Sequence, residues 1–238
     1  SKPFVGSLKT EEKISLMNRL RHPLGMHDEA QVVMRSVRTD GMSDEELRKY
    51  ADFVALYEAE ETVLRYFARM KDKLFAAKAR FDYYRARSHR NRPNMEKALA
   101  EVPGLEKSPK YAGQALTWAK ADLLRDLGRY DEAIKAYRAA NKQPDTTWAV
   151  TDCLVALKQF PQAVKTVREI EVVGGPTAAR ACFKAADVYR ISGDKRKEVD
   201  QLRLVLKRYP KSSESSEAHN RLESYGVALT GGEAEAED

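Results

Sequence analysis

The four histidines of this 238-residue chain stand at 22, 27, 89 and 219, and none has a second ligand-type residue at a spacing that closes a metal site. His27 precedes Asp28 and Glu29, but that trio lies in a turn whose pattern recurs further along the chain. Cys153 and Cys182 belong to no C-x-x-C pair; they could form one bridge, but two small buried residues is the favoured reading. A Gly-rich phosphate loop, a G-x-S-x-G elbow and an H-E-x-x-H pair are all missing from the sequence. Carboxylate pairs such as Glu60–Glu61 and Asp131–Glu132 sit among Lys and Arg on expected helices, where ion pairing is their usual fate. The expectation is therefore a protein without catalysis, metal or cofactor.

The densest charge runs over Lys78, Arg80, Arg85, Arg87, Arg90 and Arg92, with His89 among them and Asp82 opposed. Phe81, Tyr83 and Tyr84 are interleaved. Such a face suits an acidic peptide or, as an alternative, a nucleic-acid backbone. The competing reading is a solvated helix face whose aromatics pack inward, and it is favoured because Phe81 and Tyr84 fall on an apolar stripe. A second basic group, Lys184, Arg190, Lys195, Arg196 and Lys197, straddles a turn at Gly193 and reads as solvated surface.

The elements that carry these residues are helices. Charged residues are 33% of the chain and apolar residues 42%, with only 12 Gly and 9 Pro, a balance suited to helix. The formal charge is +6, which permits an acidic partner but falls short of a nucleic-acid footprint unless the cations share one face. No stretch approaches 18 uninterrupted apolar residues, so no membrane span is expected. The chain starts at Ser1 without a signal-peptide core, which fits either a mature exported protein or a trimmed one.

Residues 127–144 read Leu-Gly-Arg-Tyr-Asp-Glu-Ala-Ile-Lys-Ala-Tyr-Arg-Ala-Ala-Asn-Lys-Gln-Pro: a glycine turn, an aromatic, an acidic pair, a small residue and a closing proline. With Ala133 as register mark, the pattern recurs at Ala30, Ala98, Ala163 and Glu198. Positions four and seven beyond each mark are apolar or small, which puts them on one helical stripe. Pro144, Pro176 and Pro210 close three successive units. The expected mark at Leu64 lacks a glycine turn; Ser43 and Glu46 read as a capping box, and the segment as one long helix or a helix pair. The stripe Leu74, Ala77, Phe81 and Tyr84 is expected to end near Arg92-Pro93.

On these residues the chain resembles the tetratricopeptide repeat (TPR) family. Arg208-Tyr209-Pro210-Lys211-Ser212-Ser213 with Ala218 resembles a linkage of bacterial envelope members, which leans the location toward periplasm or envelope over cytoplasm. The resemblance implies an all-α, right-handed α-solenoid of stacked helix-turn-helix repeats, with residues 213–225 as a capping helix. Irregular repeats are expected over residues 1–110, regular repeats plus the cap over 111–229, and an acidic disordered tail over 230–238. It further implies a non-enzymatic scaffold for a protein or peptide partner; RNA binding through 78–92 and self-assembly into a homo-oligomer are the alternatives. First helices such as 112–126 and 146–157 contain no asparagine for a carboxylate clamp, which disfavours chaperone-tail binding. Repeat geometry nominates Arg80, Arg85, His89, Arg92 and Lys120 as partner-binding residues.

Overall fold

The computed structural model describes residues 6–227, and the expected tail at 230–238 lies outside them. Thirteen helices lie wholly within the described residues, among which no strand occurs. They fall into two compact units, one ending at Ala112 and the other beginning at Gly113.

The first unit holds three hairpins: α1 (Thr10–Arg21) with α2 (His27–Arg35), α3 (Asp44–Val54) with α4 (Glu60–Arg69), and α5 (Lys73–Ala86) with α6 (Arg92–Glu106). The second holds α7 (Gln114–Asp126) with α8 (Tyr130–Ala140), α9 (Asp145–Ala156) with α10 (Phe160–Val173), and α11 (Ala178–Ser192) with α12 (Lys195–Arg208). A last helix, α13 (Ser213–Ser224), packs on α11 and α12 as the expected cap. Each unit is thus a stack of helical hairpins, the α-solenoid arrangement.

The register marks explain the packing. Ala30, Ala98, Ala133 and Ala163 are fully buried, and Glu198 is 2% exposed. The residues four and seven beyond the last four marks, from Val102 to Val205, are buried too. Small residues at the mark let the two helices of a hairpin approach, while the larger ones beyond it fill the space between hairpins. The irregular segment resolves into a hairpin as well. Its mark is Val63 and not Leu64: Val63, Phe67 and Met70 are fully buried at the same spacing, whereas Leu64 is half-exposed. The Ser43–Glu46 capping box forms, with Glu46 N–H donating to Ser43 Oγ at 3.2 Å and Ser43 N–H to Glu46 Oε2 at 2.8 Å.

Two local expectations are corrected. Pro93 opens α6 at its first turn, where a missing N–H costs nothing, and does not end the preceding stripe. That stripe stops earlier, at Ala86, and Leu74 at its head is 41% exposed.

The turns inside the regular hairpins repeat one hydrogen-bond pattern. Arg129 N–H donates to Leu124 O and Gly128 N–H to Arg125 O, each at 2.9 Å; Asp194 with Tyr189 and Gln159 with Leu154 repeat the longer bond. The pattern needs a left-handed residue. Gly128 (φ +79°) and Gly193 (φ +80°) supply it freely, whereas the α9–α10 turn uses Lys158 at φ +59°. Cys153 and Cys182 are free and buried, and burial pushes both thiols up to about 11.

Candidate partner-docking face

The basic run of α5 is largely consumed within its own unit. Lys78 and Arg48 converge on Asp82, at 2.6 and 3.1 Å. Arg80 clasps Glu101 of α6 through both nitrogens, with Nη2–Oε2 at 2.9 Å, and that bonding holds its pKa up. Arg87 lies 4.0 Å from the Tyr83 ring centroid and donates to the carbonyl of Ala55 at 2.9 Å. Arg92 reaches Glu96 at 3.8 Å. Arg85 and His89 remain exposed beside the α5–α6 turn. Phe81, Tyr83 and Tyr84 are all buried. Lys120 belongs to the second unit, where it is half-buried on α7. There the Glu132 carboxyl is held low by hydrogen bonds from Arg129, with the Lys120 charge adding to the effect. Of the five sequence-nominated residues, Arg80, Arg85, His89 and Arg92 follow one another along α5, the α5–α6 turn and the start of α6, and Lys120 belongs to α7.

A second pattern runs through the first helices. Fifteen residues before the marks Ala98, Ala133, Ala163 and Glu198 stand Tyr83, Trp118, Trp148 and Phe183, all aromatic. Four residues after these, one helical turn on, stand Arg87, Asp122, Asp152 and Asp187. In the second unit each rung is thus an aromatic ring followed by an aspartate. Trp118 packs edge-on against Tyr137 at 4.8 Å, and Tyr137 O–H donates to Asp122 Oδ1 at 2.6 Å. The remaining two rungs open into a trough of about 360 Å³. Trp148 and Asp152 of α9 form one wall, Phe183 and Asp187 of α11 the floor, and Glu214 and Glu217 of α13 the far side.

Ion pairs hold the walls in register. Lys184 of α11 reaches back to Asp152 at 2.9 Å, and Arg221 of α13 to Asp187 at 2.8 Å. Arg221, 15% exposed, also faces Glu198 at 3.5 Å and Glu217 at 3.4 Å, and lies over the Phe183 ring at 4.6 Å. Arg180, exposed at the rim, lies over Trp148 at 5.1 Å. The geometry offers flat rings flanked by carboxylates. That combination binds side chains by contact and charge.

The helices of the described residues include none long and apolar enough to cross a membrane. A search of curated proteins found no match in sequence. Among solved structures, the chain is similar to the pilF protein of Pseudomonas aeruginosa at 14% identity and a TM-score of 0.47, covering 89% of this chain and 97% of that one. It is also similar to TPR-like repeats of a putative kinesin light chain from Podospora anserina, at 14% identity and a TM-score of 0.40, covering 85% and 97%. The family model for the tetratricopeptide repeat matches residues 118–143, the second half of α7 through α8, which contain the Trp118 rung and the Ala133 mark. Residues 118–143 thus match a tetratricopeptide repeat, within a chain whose described residues form stacked helical hairpins.

Proposed function

We propose that the protein is a non-enzymatic scaffold that docks a segment of another protein on the first helices of its second unit, in the trough between α9, α11 and α13. The observation that supports this most is the rung pattern, in which an aromatic and an aspartate recur at one register position of three successive hairpins. Phe183 belongs to the core under α13 and Trp118 packs on Tyr137, but Trp148 and Asp152 stay partly open, so at that rung the pairing is available to a partner. A trough with two aromatic rings and several polar groups suits a side-chain-reading contact surface. Arg85 and His89, exposed at the α5–α6 turn, are a smaller second contact region in this reading. RNA binding through residues 78–92 draws less support, because Phe81, Tyr83 and Tyr84 are buried and present no ring face to a base.

A photoreactive residue at Glu217, on the trough, tests the reading in the native cell against one at exposed Arg138 on α8. Discrete adducts from Glu217 alone, lost when Trp148→Ala is added to a variant that remains helical, are expected. Equal adducts from both positions, or adducts indifferent to Trp148, would sink it.

A further inference from the structure

We propose that the occupant of this trough is a cationic segment in the polyproline II conformation carrying Lys or Arg at about every third residue, an inference that rests on the docking reading above. The first argument is charge. Asp152, Asp187, Glu214 and Glu217 line the trough against Arg180 and Lys184, so carboxylates exceed cations by two. Behind the lining, Arg221 pairs with Asp187 at 2.8 Å and faces Glu198 at 3.5 Å, and Arg190 lies 3.6 Å from Asp187, so one carboxylate remains in excess around the trough. The whole chain carries +6, so the trough is a local inversion of the protein's own sign. An acidic segment would meet four carboxylates and find Lys184 already engaged with Asp152.

The second argument is the rings. Arg180 lies 5.1 Å from the Trp148 centroid and Arg221 4.6 Å from that of Phe183, so both ring faces already carry guanidinium groups. Arg221 is locked beneath α13 by its ion pairs, but Arg180 is exposed at the rim. An incoming guanidinium can take the Trp148 face while Arg180 turns to solvent, exchanging one cation–ring contact for another. Asp152, with its side chain 57% exposed, then lies one helical turn away to receive the charge.

The third argument is spacing. Packed helices lie roughly 8–10 Å apart, and a polyproline II chain advances about 3.1 Å per residue and returns to the same face every third residue. Cations about three residues apart therefore fall on successive rungs.

The test uses the full chain with Trp118→Phe, which leaves Trp148 as the single tryptophan emitter. The probes are two synthetic peptides of about twelve residues, long enough to cross three rungs. One has Arg at every third position among Ala and Ser, the other Glu at those positions. A saturable change in Trp148 emission is expected with the Arg peptide, at least about tenfold tighter than with the Glu peptide, and weakening as salt rises. Glu214→Lys with Glu217→Lys should weaken it at least about tenfold in a chain that remains helical. Equal or tighter binding of the Glu peptide, indifference to the charge reversals, or no binding of either peptide overturns the proposal. So does the same emission change on concentrating the protein alone, which would place a second copy in the trough. The Glu217 adducts judge the docking reading separately: a partner joined through a carboxylate-rich segment would leave docking standing and the cationic occupant refuted.

Discussion

The same register position has opposite fates at Tyr83 in the first unit and at Trp148 in the second. In the first, Tyr83 is 6% exposed, and Arg87, one turn on, folds back over the ring and donates to the carbonyls of Ala55 and Tyr83. In the second, Trp148 is half-buried, and the residue one turn on is Asp152, with its side chain 57% exposed. An arginine can cover an aromatic face and close it; an aspartate cannot, because its charge is repelled by the ring's negative face. At Phe183, also followed by an aspartate, the covering guanidinium comes instead from Arg221 of α13 and the ring is buried, so what closes a rung is an arginine over its face, from whichever helix supplies it.

Three measurements would break or sharpen that contrast. Tyr83→Ala should remove about 3 kcal/mol or more of stability, the usual cost of emptying a buried aromatic site. Trp148→Ala, made at a half-exposed ring, should cost about half as much in the same urea titration. Equal costs would mean that both rungs are structural.

A smaller effect separates the cations of the basic run. Arg80→Ala breaks a two-bonded, partly buried pair with Glu101 and should cost about 1–2 kcal/mol. Arg85→Ala, at an exposed position, should stay within about 0.5 kcal/mol. A large loss at Arg85 would mean that the run is structural throughout.

The smallest effect is in acid, where each unit has two carboxyls held below their ordinary range. In the first unit, Asp44 accepts from the amides of Asp72 and Lys71 at 2.7 and 2.9 Å, and Glu46 accepts from Ser43. In the second, Arg129 lowers Glu132, and the Lys197 side chain and amide lower Asp194. A depressed carboxyl stabilises the fold fully above its ordinary pKa, 3.8 for Asp and 4.5 for Glu, and that contribution disappears as pH falls through the lowered value. The thermal midpoint should therefore hold from neutrality to about pH 5 and fall below it. Asp44→Asn should reduce that fall, and an unchanged acid profile in the variant would show that the Asp44 cap contributes nothing.

Most of the hairpin architecture was legible because the marks on the second helices are set by a steric rule: only a small residue permits close crossing, so the period shows in the letters. The segment over α3 and α4 hid from that rule because its mark, Val63, is not small and no glycine precedes α4. Pro93 was ambiguous because proline both follows helices and begins them. The first-helix rungs were missed for another reason. Their signal lies fifteen residues before each mark, on the other helix of the hairpin, where Tyr, Trp and Phe alternate without any common letter. The run at 78–92 drew notice because its charges are contiguous, yet contiguity along a helix scatters side chains around it, and most found partners within the unit. A trough between three helices exists only once they pack.

Glu198 carries a consequence for how the array ends. It occupies the position that alanine fills elsewhere, and its carboxylate is 2% exposed in the core. Its partners, the Tyr225 hydroxyl at 2.9 Å and Arg221 at 3.5 Å, come from α13 and the residue just after it. Without the cap that carboxylate would lose both partners, and Leu202 and Val205 would lose Ala218 and Leu222 from their shared core. The last repeat and its cap therefore have no stable half-way form: α11, α12 and α13 behave as a single cooperative block that opens together. Since α11 and α13 also form two walls of the trough, loss of the cap would dismantle the surface along with the terminus.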